Sequence, residues 1–468
     1  MKKLWIAIAV VAIAGCKSGK NYQGIEVEVP DAYRFAETAE QVPEDFLFNT
    51  DSLSTDSLLG IDWFALFDDP VLDSLVQQAL DYNQDLLIAA ENINQAHDGL
   101  VVQRSAMLPQ VGVQAGTIRG NFQQGIILPE AQNVLFGAGF VNWEIDFWGK
   151  YRRLNEVAKA EIVRSEEGYR AAKISLTAGV ANAYFSLLEY EAKLEISERN
   201  LALRDSMLHI IEQRYEKGII AEIDVNQAQI KRAIAAESIP VWKRQIARTQ
   251  NLISVLTGTN PRAIETGINL NEQDTLIEIP AGLPSELLMR RPDVVAAEYQ
   301  LVAQNAFIGV AKANRLPNIS LTGILGVASA DLSGLANSPM IYNVGSSLLA
   351  PLFNWGKLQR QVDISESQYQ QAVLNYERTL IDAFRSVEDA LIDVSTLKEE
   401  LIARKAHVVA ALNAQRLSQA RYNEGATSYL EYLESQRQAF ESELNYVGTK
   451  QQLLSAYANL YKALGGGW

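Results

Sequence analysis

Apolar residues recur every seven positions along two stretches of the chain, Lys150 to Arg214 and Lys357 to Arg421. The first carries Leu187, Leu194, Leu201, Leu208 and Tyr215, with a second seam at Ala183, Tyr190 and Ile211. The other carries Val373, Leu380, Val387, Val394, Leu401 and Val408, with a second seam at Tyr376, Ala383, Ala390, Leu397 and Ala411. A sustained 3.5-residue period predicts helices supercoiled on partners. No proline interrupts either stretch, so each is expected as a rod about 100 Å long. Both open on Trp-Gly-Lys (Trp148, Gly149, Lys150; Trp355, Gly356, Lys357) and close on Arg-Tyr-x-x-Gly (Arg214, Tyr215, Gly218; Arg421, Tyr422, Gly425), at a constant offset of 207 residues. Repetition on this scale argues for one architecture built twice.

Past Gly218 and Gly425 a shorter helix returns antiparallel, with seams at Val225, Ala228, Ala235, Ile239, Trp242, Ile246, Ile253 and Leu256, and at Tyr432, Ala439, Tyr446, Leu453, Ala456 and Leu460. Pro240 is expected to kink the first return helix, and Val447-Gly448 to weaken the second. Upstream of each rod, a helical pattern runs from Trp63 to Leu108-Pro109 and again from Glu286 to Leu316-Pro317. Proline just past each end forbids continuation.

Between those helices and the rods the period changes to two. Val111, Val113 and Ala115 alternate with polar or glycine positions, as do Val141, Trp143, Ile145 and Phe147. In the second half Ile319, Leu321, Leu325 and Val327 form one such run, and Tyr342, Val344 and Leu348 the other. Alternation predicts strands with one apolar face, at the length of about ten residues that a tilted strand needs to cross a bilayer. A small soluble sheet would satisfy the same pattern. Four strands cannot close a membrane barrel, and an open edge is not tolerated in lipid, so membrane strands here require copies that pool them. The chain therefore divides into residues 1–15 as a signal peptide, 16–60 as a tether, 61–262 as the first repeat, 263–284 as a linker and 285–468 as the second repeat.

Composition narrows the function. The formal charge is −15, and −17 once residues 1 to 15, with Lys2 and Lys3, are removed. No basic stripe offers a nucleic-acid footprint. The single cysteine, Cys16, excludes an internal disulfide framework and any cysteine metal cluster. His97, His209 and His407 each stand alone on helical stretches and read as solvated surface. No glycine-rich phosphate loop and no nucleophile–base pairing is present, so neither an enzyme nor a cofactor is expected, and energy for transport must come from elsewhere. Met1-Lys2-Lys3 followed by the apolar run Leu4 to Ala14 has the layout of an export signal. Its ending, Ile13-Ala14-Gly15-Cys16, resembles a bacterial lipobox, with Cys16 as the lipid-bearing first residue of the mature chain. Acyl chains there would anchor the protein without spanning the membrane.

Four motifs carry a wider resemblance: Gly282-Leu283-Pro284-Ser285-Glu286-Leu287-Leu288-Met289-Arg290-Arg291-Pro292-Asp293-Val294, Leu316-Pro317-Asn318-Ile319-Ser320-Leu321, Pro351-Leu352-Phe353-Asn354-Trp355-Gly356, and Arg421-Tyr422-x-x-Gly425. In these the chain resembles the TolC family of outer-membrane efflux channels, in its OprM/NodT lipoprotein branch. The resemblance implies a homotrimer, mainly α with β, in which long antiparallel helices form a coiled-coil α-barrel in the periplasm. Twelve pooled strands would form one outer-membrane β-barrel, and a periplasmic adaptor and an inner-membrane resistance-nodulation-division (RND) pump would deliver small molecules. It also implies a constriction at Glu431 and Glu434, a gate network of Tyr422, Asp224 and Thr427, and adaptor docking on the turns at Gly218 and Gly425. Thr427 stands where some members have a locking arginine. As solvated acids in the first turns of a helix, Glu431 and Glu434 would also suit its dipole. An export duct for a secreted polypeptide and a structural coiled-coil lipoprotein are the competing readings, and the four alternating runs count against the second.

Overall fold

The computed structural model describes residues 17–25, 30, 32–35, 67–123, 126–273 and 290–466. The lipobox with Cys16, most of the tether and the linker from residue 274 lie outside these. The chain forms two compact units, each drawing on both sequence repeats: Met1–Val27, Glu91–Glu167 and Ala296–Arg378 make one, and Glu28–Ala90, Gly168–Val295 and Thr379–Trp468 the other.

The first unit contains a four-stranded antiparallel sheet in the order β1 (Gln110–Gln123), β2 (Ile126–Glu144), β3 (Asn318–Ser329), β4 (Ile341–Leu349). The expected alternation is seen in the register. Val111, Val141, Gly323 and Val344 line up across the strands, as do Val113, Gly139, Leu325 and Tyr342, which places these apolar residues on one face. The opposite face carries rows such as Gln110, Asn142, Thr322 and Gly345. Glycine has a packing role on that face: a Cβ at Gly112 would fall 2.5 Å from the Phe140 ring, which covers it. β1 and β2 are longer than expected because Gly116 and Gly120 stay paired in the ladder; the register shifts at Asn121, between Gly120 and Phe122, and pairing resumes beyond it. β2 ends earlier than expected, at Glu144, because Asp146 turns to cap the next helix, accepting from the Tyr151 and Arg152 amides at 3.0 Å each. Ile145 and Phe147 therefore lie in the corner rather than in the strand.

That corner also holds the start of the described chain. Arg153, 1% exposed, donates to the Ser18 carbonyl (2.9 Å) and the Gly19 carbonyl (2.7 Å) and pairs with Glu156 (2.7 Å). Lys17 pairs with the same Glu156, and the Ser18 amide donates to the Trp148 carbonyl at 3.0 Å. The Trp148 indole in turn donates to the Pro317 carbonyl at 2.8 Å, tying the corner to the start of β3.

The helices repeat in length. α1 (Pro70–Tyr82) and α2 (Gln84–Ser105) precede β1, with a break at Asn83 where a single helix was expected; the Asn83 side chain caps α2 by accepting from the Leu86 amide. α3 (Lys150–Glu216) and α6 (Lys357–Asn423) have 67 residues each, and α4 (Glu222–Leu256) and α7 (Tyr429–Ala463) have 35 each. α5 (Pro292–Ala313) has 22 residues, the length of α2. Pro240 lies inside a continuous α4, and α7 runs unbroken through Val447 and Gly448. In α6 the residues Leu380, Ala383, Val387, Ala390 and Val394 are all buried, as the heptads require.

In the second unit, a buried acid organises the α1 end. Asp69 is fully buried; it accepts from the Val71 and Leu72 amides as the N-cap of α1, from the Tyr184 hydroxyl and from the Gln273 amide, both at 2.8 Å. One carboxylate thereby joins α1, α3 and the residues that follow α4.

Candidate functional site

The two helical hairpins, α3–α4 and α6–α7, end in turns of the same geometry within the second unit. Gly218 and Gly425 sit at φ +70° and +72°, conformations that an L side chain resists. At each, the glycine amide bonds three residues back (Gly218 to Tyr215, 2.8 Å; Gly425 to Tyr422, 3.1 Å) and the next amide five back (Ile219 to Arg214, 2.9 Å; Ala426 to Arg421, 2.8 Å). This is the Schellman arrangement, which satisfies carbonyls that a helix end leaves open.

The side chains then diverge. Tyr422 is 7% exposed and its counterpart Tyr215 is 43% exposed. Tyr422 stacks on Tyr432 (centroids 5.7 Å apart) and meets Tyr429 at 5.6 Å, inside a cluster with Met207, Ile211 and Ala228 of the other hairpin. The Arg214 guanidinium lies 5.0 Å over the Tyr422 ring, whereas its counterpart Arg421 donates to Glu431 at 3.2 Å. Burial raises the Tyr422 hydroxyl above the usual tyrosine range; Arg214 opposes that shift and Asp224 adds to it. The Tyr429 hydroxyl is pushed up to about 12, again mainly by burial. Asp224 thus acts on Tyr422 through its charge rather than through a hydrogen bond.

Thr427 donates its hydroxyl to Glu431, which is held from both sides by Thr427 and Arg421. Ser428 caps α7 by accepting from the Glu431 amide at 3.3 Å, while Ala221 at the same place in α4 offers no side-chain cap. Glu434 is exposed and accepts from Arg437 through Nε (3.0 Å) and Nη2 (2.5 Å) and from Gln438 (3.0 Å). These donors hold its carboxyl down to about 2. Arg437 also reaches Glu441 at 2.7 Å, so one guanidinium bridges two acids on one face of α7.

One further residue couples the hairpins. Arg204, 7% exposed, donates to the Gln436 side-chain carbonyl, and Gln436 donates to the Tyr432 hydroxyl at 2.6 Å. Burial holds the Arg204 guanidinium below its usual range. Heptad spacing contained the signal: Ser197 and Arg204 fall in the seven-residue series between Tyr190 and Ile211, and both are buried. The structure thus brings Tyr422, Asp224, Thr427 and Glu431 to one end of the hairpins, with Glu434 one turn above. Among the described residues, no group of His, Cys, Asp or Glu gathers in a way that could hold a metal ion, and no helix is long and apolar enough to cross a membrane.

The comparisons agree with this architecture. The family model for outer membrane efflux proteins matches residues 75–259 and 283–466. The toluene efflux pump outer membrane protein TtgC of Pseudomonas putida is 32% identical, the match covering 100% of this chain and 96% of TtgC. The cation efflux system protein CusC of Escherichia coli is 30% identical over 100% of this chain and 99% of its own length. The open-state crystal structure of the Neisseria gonorrhoeae MtrE outer membrane channel superposes with a TM-score of 0.83 at 27% identity, covering 97% of this chain and 98% of that one. The chain belongs to the outer membrane efflux protein family.

Proposed function

We propose that this chain is the outer-membrane duct of a tripartite efflux system, a homotrimer that passes small molecules outward from an RND-type pump through a periplasmic adaptor. The observation that carries this reading is the four-stranded sheet, with an apolar face and with β1 and β4 free along their outer edges among the described residues. An exposed apolar face is costly in water and suited to lipid, where unpaired strand edges are forbidden unless other copies complete the ladder. Acyl chains on Cys16 anchor the duct, and the Arg153 clamp on Ser18 and Gly19 holds the following segment beside the strand-to-helix corner. The turns at Gly218 and Gly425 present the surface on which the adaptor docks. Glu431 and Glu434 line the constriction, which Tyr422, Asp224 and Thr427 help to hold in place.

Relatives named for toluene and for cation efflux share this length and pattern, which supports a duct that takes whatever its pump delivers. The protein works as a passive conduit rather than as an enzyme. Two measurements test the reading. The detergent-solubilised protein should have the mass of three copies, and its deletion should raise accumulation of a fluorescent pump substrate to the level seen on deleting the pump. A single-chain mass with unchanged accumulation would overturn it.

A further inference from the structure

The face of the sheet opposite Val111, Val113, Tyr342 and Val344 is not uniformly polar. Phe136 and Phe140 of β2 lie on it, and the outer ends of both rings rest over glycines of β1. A Cβ at Gly112 would fall 2.5 Å from the Phe140 ring, and one at Gly116 would fall 3.2 Å from the Phe136 ring. Four residues of strand set the two rings about 14 Å apart. The rung between them holds Gln114, Ala138 and Gly326, so a floor of small residues with one amide lies between two aromatic walls. Ile324, on the Phe140 rung, is 47% exposed and extends the apolar surface sideways. From the Gln110 rung to the Ile118 rung, no residue on this face is Asp, Glu, Lys or Arg.

The fold itself does not call for this arrangement. Ile319 faces Leu348 in the second hairpin as Val111 faces Val141 in the first, so the two hairpins share one register. At the images of the two phenylalanine rungs, the second hairpin has Ser320 facing Ser347 and Ile324 facing Asn343. One architecture therefore accepts pairs without an aromatic ring at these rungs, and the rings belong to the first hairpin alone.

We infer that Phe136 and Phe140 form a weak resting site for uncharged, planar aromatic molecules on the inner wall of the membrane barrel, with Gln114 bonding a polar substituent of the guest. This rests on the duct reading above, which turns the Val111 face to lipid and hence this face to the conduit. Ring-to-ring contact selects planar guests, and a wall without charges offers ionic cargo no partner to offset its desolvation. Contact from one side only keeps the site weak, as a conduit requires if cargo is to leave.

Cysteine protection in the full-length protein, reconstituted in nanodiscs, tests the site. The reagent is a membrane-impermeant cationic methanethiosulfonate, the guest is naphthol, and the wild type, whose only cysteine is Cys16, is the blank. Asn142→Cys should react, and Val113→Cys, on the lipid side, should not. Ala138→Cys, between the rings, should react in buffer and be protected saturably by naphthol but not by naphthalenesulfonate. Phe136→Leu/Phe140→Leu, which keeps apolar cover over the glycines, should raise the half-protecting concentration about tenfold. Phe136→Asn/Phe140→Ser, which installs the residues of the second hairpin, should abolish protection with the native mass unchanged. Equal protection with and without the rings, no protection at all, or an unreactive Ala138→Cys beside a reactive Asn142→Cys would overturn the site and leave the duct standing. Reaction of Val113→Cys in place of Asn142→Cys would turn the sheet over and remove the duct orientation together with the site.

Discussion

Glu434 and Glu431 do not act as isolated acids. Arg437 bridges Glu434 and Glu441, and Arg421 pairs with Glu431, so these five side chains carry a net charge of −1 per chain rather than the −2 that the two glutamates alone would give. Residues 434, 437 and 441 share one helix face, since i, i+3 and i+7 align. If Glu434 faces the conduit, Arg437 and Glu441 face it too. Arg437→Gln should then strengthen cation preference, read as a larger reversal potential in a salt gradient; an unchanged potential would remove these residues from the constriction. The pH dependence follows from the same contact. Held at about 2, Glu434 keeps its charge above that value and loses it only as pH falls through it, so its charge is constant between pH 7 and 4. Without Arg437, the largest cause of that depression, its carboxyl returns toward the ordinary value of about 4.3, and the variant alone should lose Glu434 charge near pH 4. Glu431 and Glu434 entered as candidates only through the family resemblance at the Arg-Tyr-x-x-Gly motif, and that resemblance does not indicate their partners. Arg437 was available from its i−3 and i+4 spacing to acids. The crossing of Arg214 to Tyr422 was not, because the same Arg-Tyr pair occurs in both repeats and only packing decides which tyrosine is buried.

The hairpin turns depend on backbone conformation more than on side chains. Placing Ala at Gly425 forces a Cβ into a left-handed conformation at a cost of about 1 to 2 kcal/mol, although nothing crowds the site. Gly425→Ala should accelerate hydrogen exchange at the Ala426 and Gly425-position amides while leaving the middle of α6 protected; unchanged exchange at the turn would contradict this conformation. Element type and order followed from periodicity alone: seven for the long helices, two for the strands. Boundaries moved where local capping competed with pattern. Asp146 pulled Ile145 and Phe147 out of β2 to start α3, and Asn83 split the first helix by capping α2. Pro240 removes only one amide donor and stays within a continuous helix, whose Ser238 hydroxyl bonds the Ala235 carbonyl at 2.7 Å.

Across the whole molecule, the apolar surface is larger than one chain can cover. Besides the apolar face of the sheet, Ile381, Ile402 and Val409 of α6 and Ile223, Ile230 and Ile234 of α4 are exposed. Copies of the same chain, in the oligomer proposed above, would cover both sets and complete the strand edges. The sequence reached the need for copies from the strand count, because four strands cannot close, but the number three came from family resemblance: any multiple that closes a barrel satisfies the edges. The most direct test of the duct is single-channel recording of the purified protein in a planar bilayer, wild type against Glu431→Gln/Glu434→Gln. The account predicts a small cation-preferring conductance, and the double substitution changes the local charge from −1 to +1 per chain, which should abolish or invert the preference. A conducting protein whose cation preference is the same with and without the two glutamates would contradict it.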